Sequence, residues 1–216
     1  MQDNPTTNFN IENNNDKACD KSKNEILSFI QTAIVFIFLW LVIRGSIIEA
    51  FKIPSGSMIP TLQIGDYLLV NKLSYGIRLP FVKDTIYEYS KPKRGDIVVF
   101  TKETIDSEEE KNMNFIKRVI AVGGDTLEVK NRTVYVNDKP QEEDYAQWVY
   151  GGLTTGDVSK ITIPKDHVFL MGDNRDRSKD SRYWKEPFLP TKRIKGRALF
   201  IYWSFNDLKR IFKVIK

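Results

Sequence analysis

Two serines, Ser55 and Ser57, flank a glycine in I-P-S-G-S-M-I-P-T-L, the stretch from Ile53 to Leu62. A serine on a rigid, exposed bend suits a nucleophile, but its hydroxyl is weak at neutral pH. It needs a neighbouring group to take its proton. His167 is the only histidine, and it sits in K-D-H-V-F-L-M-G-D, which alternates like a strand entering a loop. The structural reading of His167 is favoured, which leaves a lysine as the other kind of base. Lys117, in F-I-K-R-V-I-A-V-G-G-D, is the best placed. Strand alternation puts Phe115, Lys117 and Val119 on one face and Ile116 and Arg118 on the other. A lysine among apolar neighbours is desolvated, which lowers its pKa from ~10.4 and makes a neutral amine accessible. A lysine on an edge strand is the blander alternative.

A third segment, M-G-D-N-R-D-R-S-K-D-S-R-Y-W from Met171 to Trp184, is dense in polar groups after an apolar strand. Asp176, Ser178 and Asp180 have the alternate spacing of a calcium loop. Ser181, however, stands where the turn glycine belongs, and Pro187 where the bidentate glutamate belongs. A solvated loop is the commoner fate of such a string. A structured network supporting a site, with Asp180 and Arg182 paired inside it, is the sharper reading. No metal or other cofactor is expected: one histidine and one cysteine (Cys19) do not make a zinc site and allow no intramolecular disulfide.

These segments need elements to hold them. Residues 1–24 are polar and predict a disordered tail. Ile26 to Ile43 is an uncharged apolar run of 18 residues. As a helix it would span ~27 Å, near the ~30 Å hydrocarbon core. It starts too late and runs too long for a cleaved leader, so residues 25–48 are expected to be a retained transmembrane anchor. Lys17, Lys21 and Lys23 before it outnumber Arg44 and Lys52 after it, a slight bias toward a cytoplasmic tail. Beyond it, Gly65–Lys72, Gly95–Phe100 and Asn114–Val122 predict strands. T-L-E-V-K and T-V-Y-V-N joined at Asn131–Arg132 predict a hairpin. The expected fold is mainly β: an antiparallel sheet or barrel-like domain over 49–216, with a small β subdomain at about 126–165. Thr101–Lys111, with five acids, reads as a solvated loop, and the C-terminal N-D-L-K-R-I-F-K-V-I-K as a short basic amphipathic helix.

At 216 residues there is room for an anchor and one globular domain with a real core. Hydrophobic residues make up 41% and charged ones 28%, which excludes a wholly disordered or multi-span chain. The net charge of +5 is scattered among acids, so nucleic acid is not an expected partner, and an anionic lipid surface is the better match.

Five segments in order resemble the bacterial type I signal peptidases, which are membrane-bound serine–lysine proteases. They are P-S-G-S-M-I-P-T-L, G-D-Y-L-L-V-N-K-L-S-Y-G, R-G-D-I-V-V-F, F-I-K-R-V-I-A-V-G-G-D and G-D-N-R-D-R-S-K-D-S-R-Y-W, within residues 26 to about 204. The resemblance implies Ser57 as nucleophile and Lys117 as general base. It implies Ser55 as a side-chain donor beside the Ser57 N–H in the oxyanion hole, and Ser178 as the hydroxyl that orients the lysine. Asp180 and Arg182 correspond to a supporting ion pair, and Arg118 to a residue tied to the acidic loop through Asp173. Phe51, Ile53, Met58 and Ile116 correspond to shallow apolar substrate pockets, with plain core packing as the alternative. The family's substrates are signal peptides of secreted precursors, cut after small residues. This implies a single-pass protein of the cytoplasmic membrane with its catalytic domain outside. The oligomeric state does not follow from the sequence. Two rival readings are an autocleaving serine–lysine regulator and a non-enzymatic anchored binding module.

Overall fold

The computed structural model describes residues 25–40, 45, 47–77, 86–102, 113–148 and 156–215. The chain divides into two compact units, Met1–Arg44 and Gly45–Lys216.

In the first unit, residues 25–40 form a helix, α1. Ile26, Phe29, Ile34, Phe36, Ile37 and Trp40 stand exposed around it. The Ser28 and Thr32 hydroxyls donate to carbonyls of the same helix, those of Glu25 and Ser28, each at 2.8 Å. These hydroxyls therefore need no partner outside α1. Its 16 residues rise about 24 Å. Among the described residues no helix is long and apolar enough to cross a membrane. Residues 41–43 of the apolar run lie outside the described residues, as do the expected tail 1–24 and residues 103–112 of the acidic segment.

The second unit is built from thirteen described strands. In chain order they are β1 (Ile48–Lys52), β2 (Asp66–Asn71), β3 (Gly76–Ile77), β4 (Tyr87–Glu88), β5 (Ile97–Thr101), β6 (Asn114–Val122), β7 (Thr126–Lys130), β8 (Thr133–Val136), β9 (Lys139–Pro140), β10 (Val158–Thr162), β11 (His167–Met171), β12 (Leu189–Pro190) and β13 (Ile194–Ser204). Seven form the main sheet in the order β1-β2-β13-β5-β6-β11-β12, four a smaller sheet in the order β10-β7-β8-β9, and β3 pairs with β4. Each of these strand pairs is antiparallel. Among the described residues β1 and β12 do not pair, so the main sheet is open rather than closed as a barrel. Ile48, expected at the end of the anchor, instead begins β1.

The core explains the strand sequences. Along β5, Ile97 and Val99 enter one apolar cluster with Met58, Leu62 and Leu68, while Val98 and Phe100 enter another with Val119, Leu170 and Trp184. A strand buried on both faces needs an unbroken apolar run, and I-V-V-F supplies it. Along β11, Val168 and Leu170 join that second cluster, while Phe169 and Met171 meet Leu127, Val129 and Val134 of the small sheet. The predicted hairpin forms: Asn131 and Arg132 have φ of 51° and 65°, the left-handed pair that matches the twist of β7 and β8.

The C-terminus corrects the expected amphipathic helix. Asp207 caps a single 3-10 turn, Leu208–Arg210, and after a turn at Phe212, whose φ is 63°, Val214 bridges Phe200 of β13. Phe212 N–H donates to Ile201 O at 2.7 Å and Ile215 N–H to Leu199 O at 2.9 Å. Two contacts outweigh helix propensity here. The bonds to β13 satisfy backbone groups, and buried Arg210 reaches buried Asp66 at 2.6 Å.

Candidate active site

The serine-bearing turn joins β1 to β2. Its base is closed by Ile53 N–H donating to Asp66 O and Gly65 N–H to Ile53 O, both at 2.9 Å. Met58 and Leu62 are fully buried and anchor its far side. Asp66 takes the Gln63 N–H and the Arg210 guanidinium, so the turn is tied to β2 and to the C-terminal segment. The bend is thus rigid, and Ser55 stands exposed on it while Ser57 is nearly buried.

Lys117 lies on β6 opposite Val98 of β5. Its Nζ is 2.7 Å from Ser57 Oγ and 3.0 Å from Ile116 O. Burial pushes its pKa down to about 8, while the carboxylates of Asp180 and Asp173 pull it partly back up. A hydroxyl and an amine that is partly neutral near pH 8 therefore touch in a nearly dry position, as nucleophile and base must.

The third segment forms the wall behind them and is held by three buried ion pairs. Arg118 donates to both oxygens of Asp173, at 2.9 and 2.8 Å, with its guanidinium 3.8 Å from the Tyr145 ring centre. Arg182 grips Asp180 at 2.8 and 2.9 Å. Arg175 grips Glu143 of the small-sheet region at 2.6 and 2.8 Å. Asp180 also accepts the Gly172 N–H at 3.0 Å. The segment is a supporting network rather than a solvated loop.

Ser178 is buried with its Oγ unpartnered, and the expected bond to Lys117 is not made; the Ile116 carbonyl holds the amine instead. Ile53 and Met58 are core residues, with Phe51 and Ile116 packed against the same cluster. The cleft of about 370 Å³ that contains Ser55, Ser57 and Lys117 takes its apolar walls from Ile59, Ile64, Phe115 and Trp184. His167 lies at the start of β11 with Nδ1 2.9 Å from Lys165 O, a structural position.

Three features escaped sequence reasoning. Asn174, inside G-D-N-R, bonds the serine turn directly. Gly172 has no room for a Cβ, which would collide with the Ser57 carbonyl and the Ser178 hydroxyl. The third is the register of β6: residues 114–118 pair with β5, whereas β11 pairs only from Arg118 onward. Among the described residues, 114–117 thus have no strand partner on the side away from β5, which leaves an edge beside Lys117.

The family described as "Signal peptidase, peptidase S26" matches residues 25–203. A signal peptidase I from Pseudomonas aeruginosa is 37% identical over 206 residues, covering 80% of this chain and 71% of that protein. One from Bacillus licheniformis is 33% identical over 194 residues, covering 87% of this chain and 94% of that protein. A crystal structure of a signal peptidase I from Enterococcus faecalis shares 28% identity at a TM-score of 0.41, covering 51% of this chain and 98% of that one.

Proposed function

This chain belongs to the signal peptidase family, peptidase S26, and from that membership we infer that it is a serine endopeptidase that removes signal peptides from secreted precursor proteins. The chemistry we assign to it rests on one observation, the 2.7 Å approach of a buried lysine amine to a serine hydroxyl.

In this reading Ser57 Oγ attacks the scissile carbonyl carbon and neutral Lys117 takes its proton. The carbonyl π pair becomes an oxyanion, stabilised by the Ser57 N–H and the Ser55 hydroxyl. One such donor contributes ~3 kcal/mol in serine proteases. The C–N bond then breaks and charged Lys117 returns the proton to the leaving amine. Water, deprotonated by the same amine, hydrolyses the ester. The Ile116 carbonyl, rather than Ser178, orients the lysine. The unpartnered edge at 114–117 suits a substrate bound as an added strand, which would lay its scissile bond beside Ser57. The bulky Phe115 and Trp184 leave room only for small side chains next to the cut.

The enzyme works at a membrane in this reading, with α1 as part of a single anchor, a cytoplasmic tail and the β unit on the outer face. A helix segment apolar all round belongs in lipid or in a core, and residues 34–40 of α1 are apolar on every side and exposed. Exposed Trp203, Phe205, Leu208 and Phe212 give the β unit its own apolar patch, also suited to the lipid interface.

Purified full-length protein incubated with a secreted precursor should release the mature form with multiple turnovers, and the Ser57→Ala variant should release none. Self-cleavage without turnover would favour an autocleaving regulator, and turnover by the Ser57→Ala variant would refute Ser57 as nucleophile.

The pH profile gives a second test. Only neutral Lys117 can accept the proton, so kcat/KM should climb as pH rises through about 8. A rate flat from about pH 6 to about pH 10 would rule out lysine as the base.

A further inference from the structure

The two carbonyls on either side of the Ser57 residue are both held by one residue on another loop. Asn174 Nδ2 donates to Gly56 O at 3.1 Å, and Asn174 N–H donates to Ser57 O at 3.1 Å. The Gly56–Ser57 peptide is planar, with its N–H antiparallel to its C=O. Holding the Gly56 carbonyl toward Asn174 therefore points the Ser57 N–H the opposite way, and among the described residues no hydrogen bond takes that N–H.

We propose that Asn174 is a positioning residue for the cleavage reaction, aiming the Ser57 backbone N–H at the oxyanion that develops on the scissile carbonyl. This deepens the assignment of Ser57 as nucleophile and rests on it.

The orientation of the Asn174 amide is set by its own contacts. Oδ1 accepts the Arg177 N–H at 3.3 Å, so the NH2 end is the one that faces Gly56. The backbone around Asn174 is fixed as well. Gln147 N–H donates to Asp173 O at 2.7 Å and Arg175 N–H to Gln147 O at 2.9 Å, while Asp173 is locked to Arg118. Asn174 is nearly buried and lines the cleft that holds Ser57. Without Nδ2, the Gly56 carbonyl keeps only the longer bond from Ile59 N–H, at 3.3 Å. The residue before the nucleophile is a glycine, whose backbone rotates at low cost. The peptide would then sample orientations that turn the Ser57 N–H away from the substrate.

The test compares the full-length parent with Asn174→Ala and with Asn174→Asp, which keeps the volume and the acceptor but removes the donor. Outright loss of an oxyanion donor costs about 10²–10³ in kcat. A misaimed donor costs less, so kcat should fall about 10- to 100-fold in both variants with KM within about twofold. In Asn174→Ala the rise in rate with pH should keep its midpoint, because no charge near Lys117 changes, whereas the carboxylate of Asn174→Asp should move it upward, as those of Asp180 and Asp173 already do. The discriminating measurement uses a peptide aldehyde and the matching peptide amide. The aldehyde forms a hemiacetal: Ser57 Oγ bonds its carbon, the carbonyl π pair becomes an oxyanion, and the serine proton passes to Lys117. Aldehyde affinity should drop by the same factor as kcat, and amide affinity should not. The ratio of the two is independent of the folded fraction. An unchanged ratio, kcat within about twofold of the parent, or failure of both variants to fold would overturn the proposal. Turnover by Ser57→Ala would overturn both it and the reading beneath it, whereas an inert Ser57→Ala beside a fully active Asn174→Ala would overturn this proposal alone.

Discussion

Replacing Lys117, the proposed general base, with methionine is expected to abolish cleavage and to make the folded protein more stable at neutral pH. The first half follows from the site. Methionine matches the lysine stem in size and packing but cannot accept the Ser57 proton across the 2.7 Å gap. In serine proteases, removal of the base costs about 10⁴-fold or more in kcat, which is the expected loss here. The second half follows from linkage. The Lys117 pKa is about 8 in the folded chain and 10.5 in the reference state, so between those pH values the unfolded chain binds more protons than the folded one. Stability therefore rises with pH across that window. Below about pH 8 the penalty is fully present, on the order of 3 kcal/mol for a shift of this size, and a neutral side chain of similar volume escapes it. Urea unfolding of parent and Lys117→Met at pH 7 and pH 10.5 checks it: the variant should be the more stable at pH 7, with the gap closing at pH 10.5. A variant less stable at both pH values, or one retaining more than about a hundredth of parental activity, would contradict this account of Lys117.

That trade between function and stability bears on how much could be read before the fold was known. Lys117 was legible because a charged residue interrupts an apolar alternation, a pattern that stability alone does not favour. The Asn131–Arg132 turn was legible for a similarly local reason, the demand of a tight hairpin for left-handed backbone. Strand positions carried the same kind of signal, since each is written in its own few residues. What stayed hidden depends on pairs distant in the chain. Asn174 and Gly56 are 118 residues apart, and neither residue type announces the other. The unexpected C-terminus has the same origin: Arg210 looks like one cation of a basic helix until Asp66, 144 residues earlier, is placed beneath it. Ser178 shows the converse limit. A family pattern supplies a role for its hydroxyl, but the Lys117 amine donates to the neighbouring Ile116 carbonyl at 3.0 Å and Ser178 Oγ makes no hydrogen bond.

Asp173→Ala should be among the most destabilising single changes in the β unit. Arg118 and Asp173 are almost completely buried, and Asp173 neutralises the guanidinium through two parallel hydrogen bonds. Asp173 Oδ2 also accepts the Thr61 hydroxyl, so one carboxylate joins β6, the serine turn and the Gly172–Asn174 loop. Truncating it removes the carboxylate that pairs with Nε and Nη2 of the Arg118 guanidinium in the interior. Breaking a buried pair in this way costs about 3–5 kcal/mol. Removing both charges is a different experiment. Arg118→Met combined with Asp173→Leu takes away the buried cation as well, and most of the lost stability should return. Activity should not return with it, because the apolar pair no longer fixes the loop that carries Asn174 or binds Thr61 of the serine turn. Denaturant unfolding of the two single variants and the double variant measures the coupling, with precursor cleavage measured in parallel. A loss below about 1 kcal/mol for Asp173→Ala would mean that water or another group reaches Arg118, and that the pair does not hold the site together.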